Sequence, residues 1–279
     1  KQPIGPQPNM PAFPILTYHS QIFQDNSYSG NNHVALARDL ELIYSLGHRV
    51  QPLSRLADWL EGNADDRELG RAVFLTFDDG CNFDVQDLDH PEFGLQSSFR
   101  SIMQAFAATL DPARAAGLHA TTFVIASEAA RRAMDSQSLF GQNWMSSDWW
   151  RETDREGLIA IESHGWDHNH PDLGGAGRGG FENIDNEDLC HDQVVRAATA
   201  IEALTGRRPV FFAYPYGQSS AYMRNSWFPG FIARHGCRAA FGARAAHVNK
   251  DSNRWNLPRY VCGHDWRSPQ ALRNILDAG

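Results

Sequence analysis

The stretch Ala72-Val73-Phe74-Leu75-Thr76-Phe77-Asp78-Asp79-Gly80 carries the reading of the fold. Its first six residues form a near-continuous apolar run, as a strand covered on both faces requires. Two acids close the run and a glycine turns the chain. Further apolar runs lie at residues 15–18, 120–125, 158–161, 210–213 and 239–241. Stretches with helical spacing separate them. Leu36, Leu40 and Ile43 recur at helical intervals within residues 34–46, which stop at Gly47. Ser54 is placed to cap a short helix through Leu60. Residues 184–204 predict one long amphipathic helix ended by Gly206. Ser268-Pro269 supplies an N-cap and a first-position proline for a last helix to Leu276. Repeated strand–helix alternation predicts an α/β fold: a parallel sheet covered by helices, open or closed into a barrel. Polar residues follow the strands at Asp78-Asp79, His164 and Tyr214-Pro215-Tyr216. The carboxyl ends of parallel strands are where such folds gather their chemistry. Two segments read as insertions: residues 81–119, with Asp84, Asp87, Asp89 and His90, and the Gly-rich residues 171–180.

Composition bounds the function. The chain has 279 residues, 42% of them hydrophobic, enough for a substantial core. Eight Trp and 16 Phe exclude a disordered chain. The formal charge of -8, with no run of Lys or Arg, excludes the electrostatic footprint of a nucleic-acid binder. No stretch is apolar for long enough to span a membrane. Cys81, Cys190, Cys237 and Cys262 form no C-x-x-C pair. Two disulfides and four buried thiols are both compatible with that spacing. Residues 1–14 are rich in Pro and polar side chains and predict an extended arm. The chain begins at Lys1 rather than Met, which is compatible with a leader or anchor upstream.

Three segments carry chemistry. Neighbouring strand residues point to opposite sides, so Asp78 and Asp79 share one cavity only if the backbone turns there. Gly80 supplies that freedom. An acidic turn or helix cap has the same sequence. In Glu162-Ser163-His164-Gly165-Trp166-Asp167-His168, two histidines four apart can hold one metal. Imidazole with carboxylate suits zinc and other divalent transition metals. A pair of surface histidines reads the same way. His170 and Asp172 follow, either as outer partners of those ligands or as solvated loop residues. In Phe211-Phe212-Ala213-Tyr214-Pro215-Tyr216-Gly217, a strand runs into a proline-fixed turn. That turn can hold a backbone N–H rigidly, as an oxyanion hole needs, or simply pack.

Together these segments resemble the polysaccharide deacetylase family, the NodB-homology group also known as carbohydrate esterase family 4. Thr76-Phe77-Asp78-Asp79-Gly80 matches its T-F-D-D-G motif, and His164 with His168 matches its H-x-x-x-H motif. Tyr214-Pro215-Tyr216-Gly217 is similar to its later turn motif. Thr17-Tyr18-His19-Ser20 is similar to the entry strand of many extracellular members. The resemblance implies a distorted (β/α) barrel of about seven strand–helix units with long loop insertions. It implies one such domain over residues 15–279 after the arm of residues 1–14. It implies Asp79, His164 and His168 as metal ligands, Asp78 as general base, and Tyr216 as the backbone donor to an oxyanion. The metal is then a divalent transition metal, zinc first, with cobalt or nickel also admitted. The implied activity is hydrolysis of N-acetyl groups on amino sugars of a polysaccharide or glycan, in the periplasm or outside the cell.

Members carry an Arg in the third motif that orients the base, and here that stretch reads Ala213-Tyr214. Arg259, in Leu257-Pro258-Arg259-Tyr260, is the candidate replacement, against a surface or core-edge salt bridge. His264, beside Asp265, is the first candidate for the general acid, and His19 the second. Trp149 and Trp150 read as packing, and Trp166 as a wall of the site. An O-acetyl esterase, a small-amide hydrolase and an inactive sugar-binding protein are the alternative functions.

Overall fold

The computed structural model describes residues 10–169 and 180–279. Residues 1–9 of the expected arm, His170, Asp172 and the Gly-rich stretch up to residue 179 lie outside the described residues. Ten strands are found among the described residues. They are β1 (Ile15–Tyr18), β2 (Arg49–Val50), β3 (Ala72–Asp79), β4 (Leu88–His90), β5 (Gly94–Gln96), β6 (Ala120–Val124), β7 (Ile159–Ser163), β8 (Phe211–Ala213), β9 (Ala239–Phe241) and β10 (Tyr260–Val261).

The main sheet runs β10-β1-β3-β6-β7-β8-β9 with every neighbour parallel, and β2 adds to the start of β3. Leu257 bridges Phe241 in parallel, and three residues later β10 pairs with β1. Residues 257–261 thus connect the two edges, and the sheet curls into a distorted (β/α) barrel. Seven strands make the ring, fewer than the eight of the full form.

Side-chain alternation fills both faces. Ile15, Phe74, Phe123, Phe211 and Phe241 form one buried cluster. Leu16, Tyr18, Val73, Leu75 and Phe77 alternate with them and pack against helices Asn32–Ser45 and Pro269–Leu276 in another. A period of two along β1 and β3 separates the sets, as a strand requires. Burial on both faces explains the continuous apolar run in β3.

The structure alters several sequence expectations. The second helix is Leu53–Leu60, and its N-cap position is Pro52, which has no side-chain acceptor; Ser54 lies inside the helix. The long helix begins after Asn186, whose side chain accepts from the Leu189 N–H, and contains a π-turn at His191–Val195. A π-turn widens a single turn of the helix, and no residue type marks it in the sequence. Residues 81–119 are not a bare insertion. They hold the β4–β5 hairpin and helix Phe99–Ala107, part of the crossover between β3 and β6. Phe13 is buried edge-on against Trp59 and bridges Val248, so core packing begins ahead of residue 15. All four cysteines are buried free thiols.

Candidate active site and metal centre

Asp78 continues the inward set of β3 after Phe74 and Thr76. By alternation Asp79 should face outward. Instead Asp79 has φ of 79° and Gly80 φ of 69°, so the chain turns one residue before the glycine. Both acids then line the same cleft. A Cβ on Gly80 would lie 2.7 Å from Val124 Cγ1, so only glycine fits beneath that turn.

His164 extends the β6–β7 ladder, its N–H donating to the Val124 carbonyl at 2.8 Å. Its Nδ1 is 2.8 Å from the Ala213 carbonyl oxygen. A carbonyl only accepts, so Nδ1 carries the proton and the Nε2 lone pair faces the cleft. His168 has φ of 57°. Its turn is held from the π-turn: Gln193 Nε2 donates to Asp167 Oδ1 at 2.8 Å, and Gln193 Oε1 accepts from the Trp166 N–H at 3.2 Å.

Asp79 Oδ1 lies 3.3 Å from His164 Nε2 and 3.2 Å from His168 Nε2. The three ligand atoms lie within 4.8 Å of one another, and all three residues are buried. Among the described residues Asp79 Oδ1 has no hydrogen-bond partner. Burial alone would raise the Asp79 carboxyl, but the two imidazoles and the charge of His19 hold it well below the usual range. Burial alone would lower His164, but Asp78 and Asp79 together raise it. Both directions report electron-rich atoms crowded around a space suited to positive charge. Two imidazole nitrogens and one carboxylate oxygen fit a divalent transition metal, with coordination positions left over.

Asp78 has a different partner. Arg259 Nη1 donates to Oδ1 at 2.8 Å and Nη2 to Oδ2 at 2.9 Å. Arg259 is 1% exposed, its Nε donates to the Gly242 carbonyl at 2.7 Å, and its guanidinium lies over Phe123. The surface reading of Arg259 gives way to a buried two-pronged ion pair. Burial alone would raise the Asp78 carboxyl; the charges of Arg259 and His164 outweigh it and lower it.

In the third motif Tyr216 has φ of 56° and an exposed ring, 71% accessible, set edge-on to His168 at 4.6 Å. A Cβ on Gly217 would lie 2.4 Å from Ala243 Cβ. Asp79, His168 and Tyr216 are half of the six described non-glycine residues with positive φ. Such conformations cost about 1–3 kcal/mol each, and their concentration at one cleft marks it as a functional site.

The cleft has a volume of about 450 Å³, and both His19 and His264 line it. His19 is partly buried and its Nδ1 has no hydrogen-bond partner among the described residues. The His264 side chain is 84% exposed and its Nδ1 lies 3.0 Å from Asp265 Oδ1. Trp166 is not a wall of the cleft. The Arg196 guanidinium covers its ring at 3.6 Å, from the helical segment that carries the π-turn. Trp149 and Trp150 are buried packing residues. Gln193 and Gln21, whose Nε2 donates to Asp79 Oδ2, were missed in the sequence. Neither sits in a motif: Gln21 lies in a loop and Gln193 in the π-turn, and neither place is marked by a periodic signal.

Solved structures share the fold. IcaB from Ammonifex degensii superposes with a TM-score of 0.65 at 20% identity, covering 95% of this chain and 96% of that one. The Streptococcus pyogenes deacetylase PplD, solved in complex with acetate, gives 0.64 at 17% identity, covering 96% and 99%. A de-N-acetylase from Aggregatibacter actinomycetemcomitans gives 0.64 at 15% identity, covering 95% and 99%. No curated protein matches the sequence at a significant level. The family model for polysaccharide deacetylase matches residues 65–227, more than half of the chain and all three motifs. With its barrel, its acid pair and its two histidines, this chain belongs to the polysaccharide deacetylase family.

Proposed function

We propose that the protein is a metal-dependent deacetylase that removes N-acetyl groups from amino sugars of a polysaccharide or glycan. One observation carries the metal reading. Asp79 Oδ1 is buried, has no hydrogen-bond partner among the described residues and faces two imidazole nitrogens. Two imidazole nitrogens and a carboxylate oxygen, buried and within 4.8 Å of one another, make a donor set that a divalent cation would bridge. Asp79, His164 and His168 would hold it. A divalent metal there supplies Lewis acidity toward a carbonyl oxygen and acidifies water.

Asp78 takes the proton of the attacking water. The Arg259 fork keeps Asp78 ionised and fixes its direction. The Tyr216 N–H, set by the strained turn, donates to the oxyanion that forms at the acetyl carbonyl. The C–N bond then breaks, and a general acid protonates the leaving amine. We place His19 ahead of His264 in that role, because it lines the cleft partly buried with its Nδ1 unpartnered among the described residues, while His264 is exposed. The exposed side chains of Ile22 and Tyr216 border the cleft and offer apolar surface to a sugar ring. The relatives described as deacetylases, and the acetate held by one of them, agree with this product.

We read residues 15–279 as one deacetylase domain, supported by the pairing of β10 with β1 across the whole chain. Placement in the periplasm or outside the cell follows from the substrate class.

Acetate release should be compared among N-acetylglucosamine oligomers, O-acetylated polysaccharides and small amides. The reading expects the N-acetylated oligomers to be preferred. His19→Gln should lower kcat by about 10²–10⁴, the range of a general acid. His264→Gln should leave kcat close to wild type. Preference for O-acetyl esters or small amides would replace the substrate assignment, and an unaffected His19→Gln would return the acid role to His264.

A further inference from the structure

Asp79 has two oxygens, and only one of them faces the imidazoles. The other, Oδ2, accepts a hydrogen bond from Gln21 Nε2. A carboxylate only accepts, so the amide nitrogen of Gln21 must point at it and the orientation of that amide is fixed. Gln21 Oε1 is buried without a partner among the described residues, so a flipped amide would gain no compensating bond from them.

The loop that presents Gln21 is anchored at each preceding residue. Tyr18 OH donates to Asp39 at 2.8 Å. The His19 N–H donates to Asn32 Oδ1 at 2.9 Å. Ser20 Oγ donates to Asp84 at 2.5 Å, and the Ser20 carbonyl lies 2.8 Å from His33 Nε2. The helix starting at Asn32 and the turn after β3 therefore hold the loop from both sides. Gln21 arrives at Asp79 from a fixed base rather than from a free loop.

We propose that Gln21 is a positioning residue for Asp79, holding its carboxylate so that Oδ1 alone is offered to a metal ion. Without the amide the carboxylate can rotate and present either or both oxygens, and the strained φ of Asp79 no longer sets a single geometry. Hydrogen-bond partners that orient ligands in this way contribute strongly to metal affinity. The inference rests on the metal reading of Asp79, His164 and His168, and its test must separate the two.

The experiment is titration of metal-free protein with cobalt(II), reading affinity by competition with a chelating dye and geometry by visible absorption. Gln21→Met removes the donor at nearly constant volume, and Gln21→Ala removes it with less bulk. Both variants should remain folded by circular dichroism, bind cobalt about 10- to 100-fold more weakly than wild type, and show an altered visible spectrum. Wild-type affinity and spectrum in both variants would overturn the role of Gln21 while leaving the metal site standing. Wild-type protein that binds no cobalt would overturn the metal reading itself, and this inference with it.

Discussion

Two clusters built on largely buried acids, one joining β7 to β8 and the other at the ends of β3 and β7, follow opposite rules. In the first, Arg207 bonds Asp154 through two nitrogens at 2.8 and 2.9 Å and Glu162 at 2.9 Å. The remaining Glu162 oxygen accepts from the Val210 and Phe211 N–H groups at 2.7 and 2.9 Å. Both oxygens of Asp154 are also filled, one of them by the Ile161 N–H as well. The cluster is closed, and among the described residues none of its members has a positive φ. β7 and β8 share a single register pair, and Glu162 supplies acceptors for the β8 backbone where the ladder does not. In the second cluster, Arg259 closes Asp78, but Asp79 is left with one oxygen facing two imidazoles. Its backbone is strained at Asp79 and His168. Burial and charge are common to both. Satisfaction of the oxygens separates a cluster that holds strands together from one arranged to hold something else.

Breaking the open cluster should cost function. Asp79→Asn should reduce acetate release to background and abolish stoichiometric metal binding, measured by elemental analysis of dialysed protein. The melting temperature of the metal-free variant should not fall. A variant that melts early and keeps its metal would put Asp79 in the structural class.

Breaking the closed cluster should cost stability. Arg207→Met leaves two acids facing each other. Removing one partner from a buried pair costs about 3–5 kcal/mol, and partial exposure of Arg207 reduces this to about 2–3 kcal/mol. Urea unfolding would read the loss, and the folded fraction should keep most of its activity. Unchanged stability would remove the contrast between the clusters.

Between these lies Arg259→Lys, which keeps the charge and loses the fork. Asp78 is held below the usual carboxylate range, so it is ionised through the ordinary working range and protonates only as pH falls through that lowered value. Weakening its partner raises it. The acid limb of the kcat/KM profile should therefore move to higher pH. A limb that stays in place would detach Asp78 from the base role.

The smallest effect concerns a third acid. Asp84 is buried beside the site and accepts from Ser20 and Thr122, with no cationic partner among the described residues. Burial pushes its carboxyl up to about 7. A raised carboxyl contributes stability that is complete below about pH 4 and is lost as pH rises through about 7. Asp84→Asn should flatten the decline of melting temperature over that window. An unchanged slope would mean that Asp84 is ionised and solvated in the folded protein.

The fold was legible because its strands are apolar runs. A strand covered by helices outside and by barrel side chains inside has no polar face to confuse the pattern. The meeting of Asp79, His164 and His168 follows from two strand ends, those of β3 and β7, opening at one rim, which strand–helix alternation already implies. Other features depend on distance in space that sequence does not encode. Arg259 reaches Asp78 across 181 residues only because the sheet curls until its last strand meets its first. The turn at Asp79 rather than at Gly80 is a backbone choice that residue type hides, since Asp tolerates that conformation without requiring it. Gln21 and Gln193 work through one hydrogen bond or two, from a loop and a π-turn with no pattern of their own. Trp166 misled because it lies inside a site motif, yet its ring packs beneath Arg196.

The central claim is that a metal held by Asp79, His164 and His168 works with Asp78 as base. Its most direct test is acetate release from N-acetylglucosamine oligomers by protein stripped with chelator and then reloaded with zinc, cobalt or nickel, with Asp78→Asn alongside. The account predicts no release after stripping, recovery on reloading, and a loss of about 10²–10⁴ in kcat for Asp78→Asn despite full metal occupancy. Undiminished release from stripped protein, or an Asp78→Asn variant as active as wild type, would contradict it.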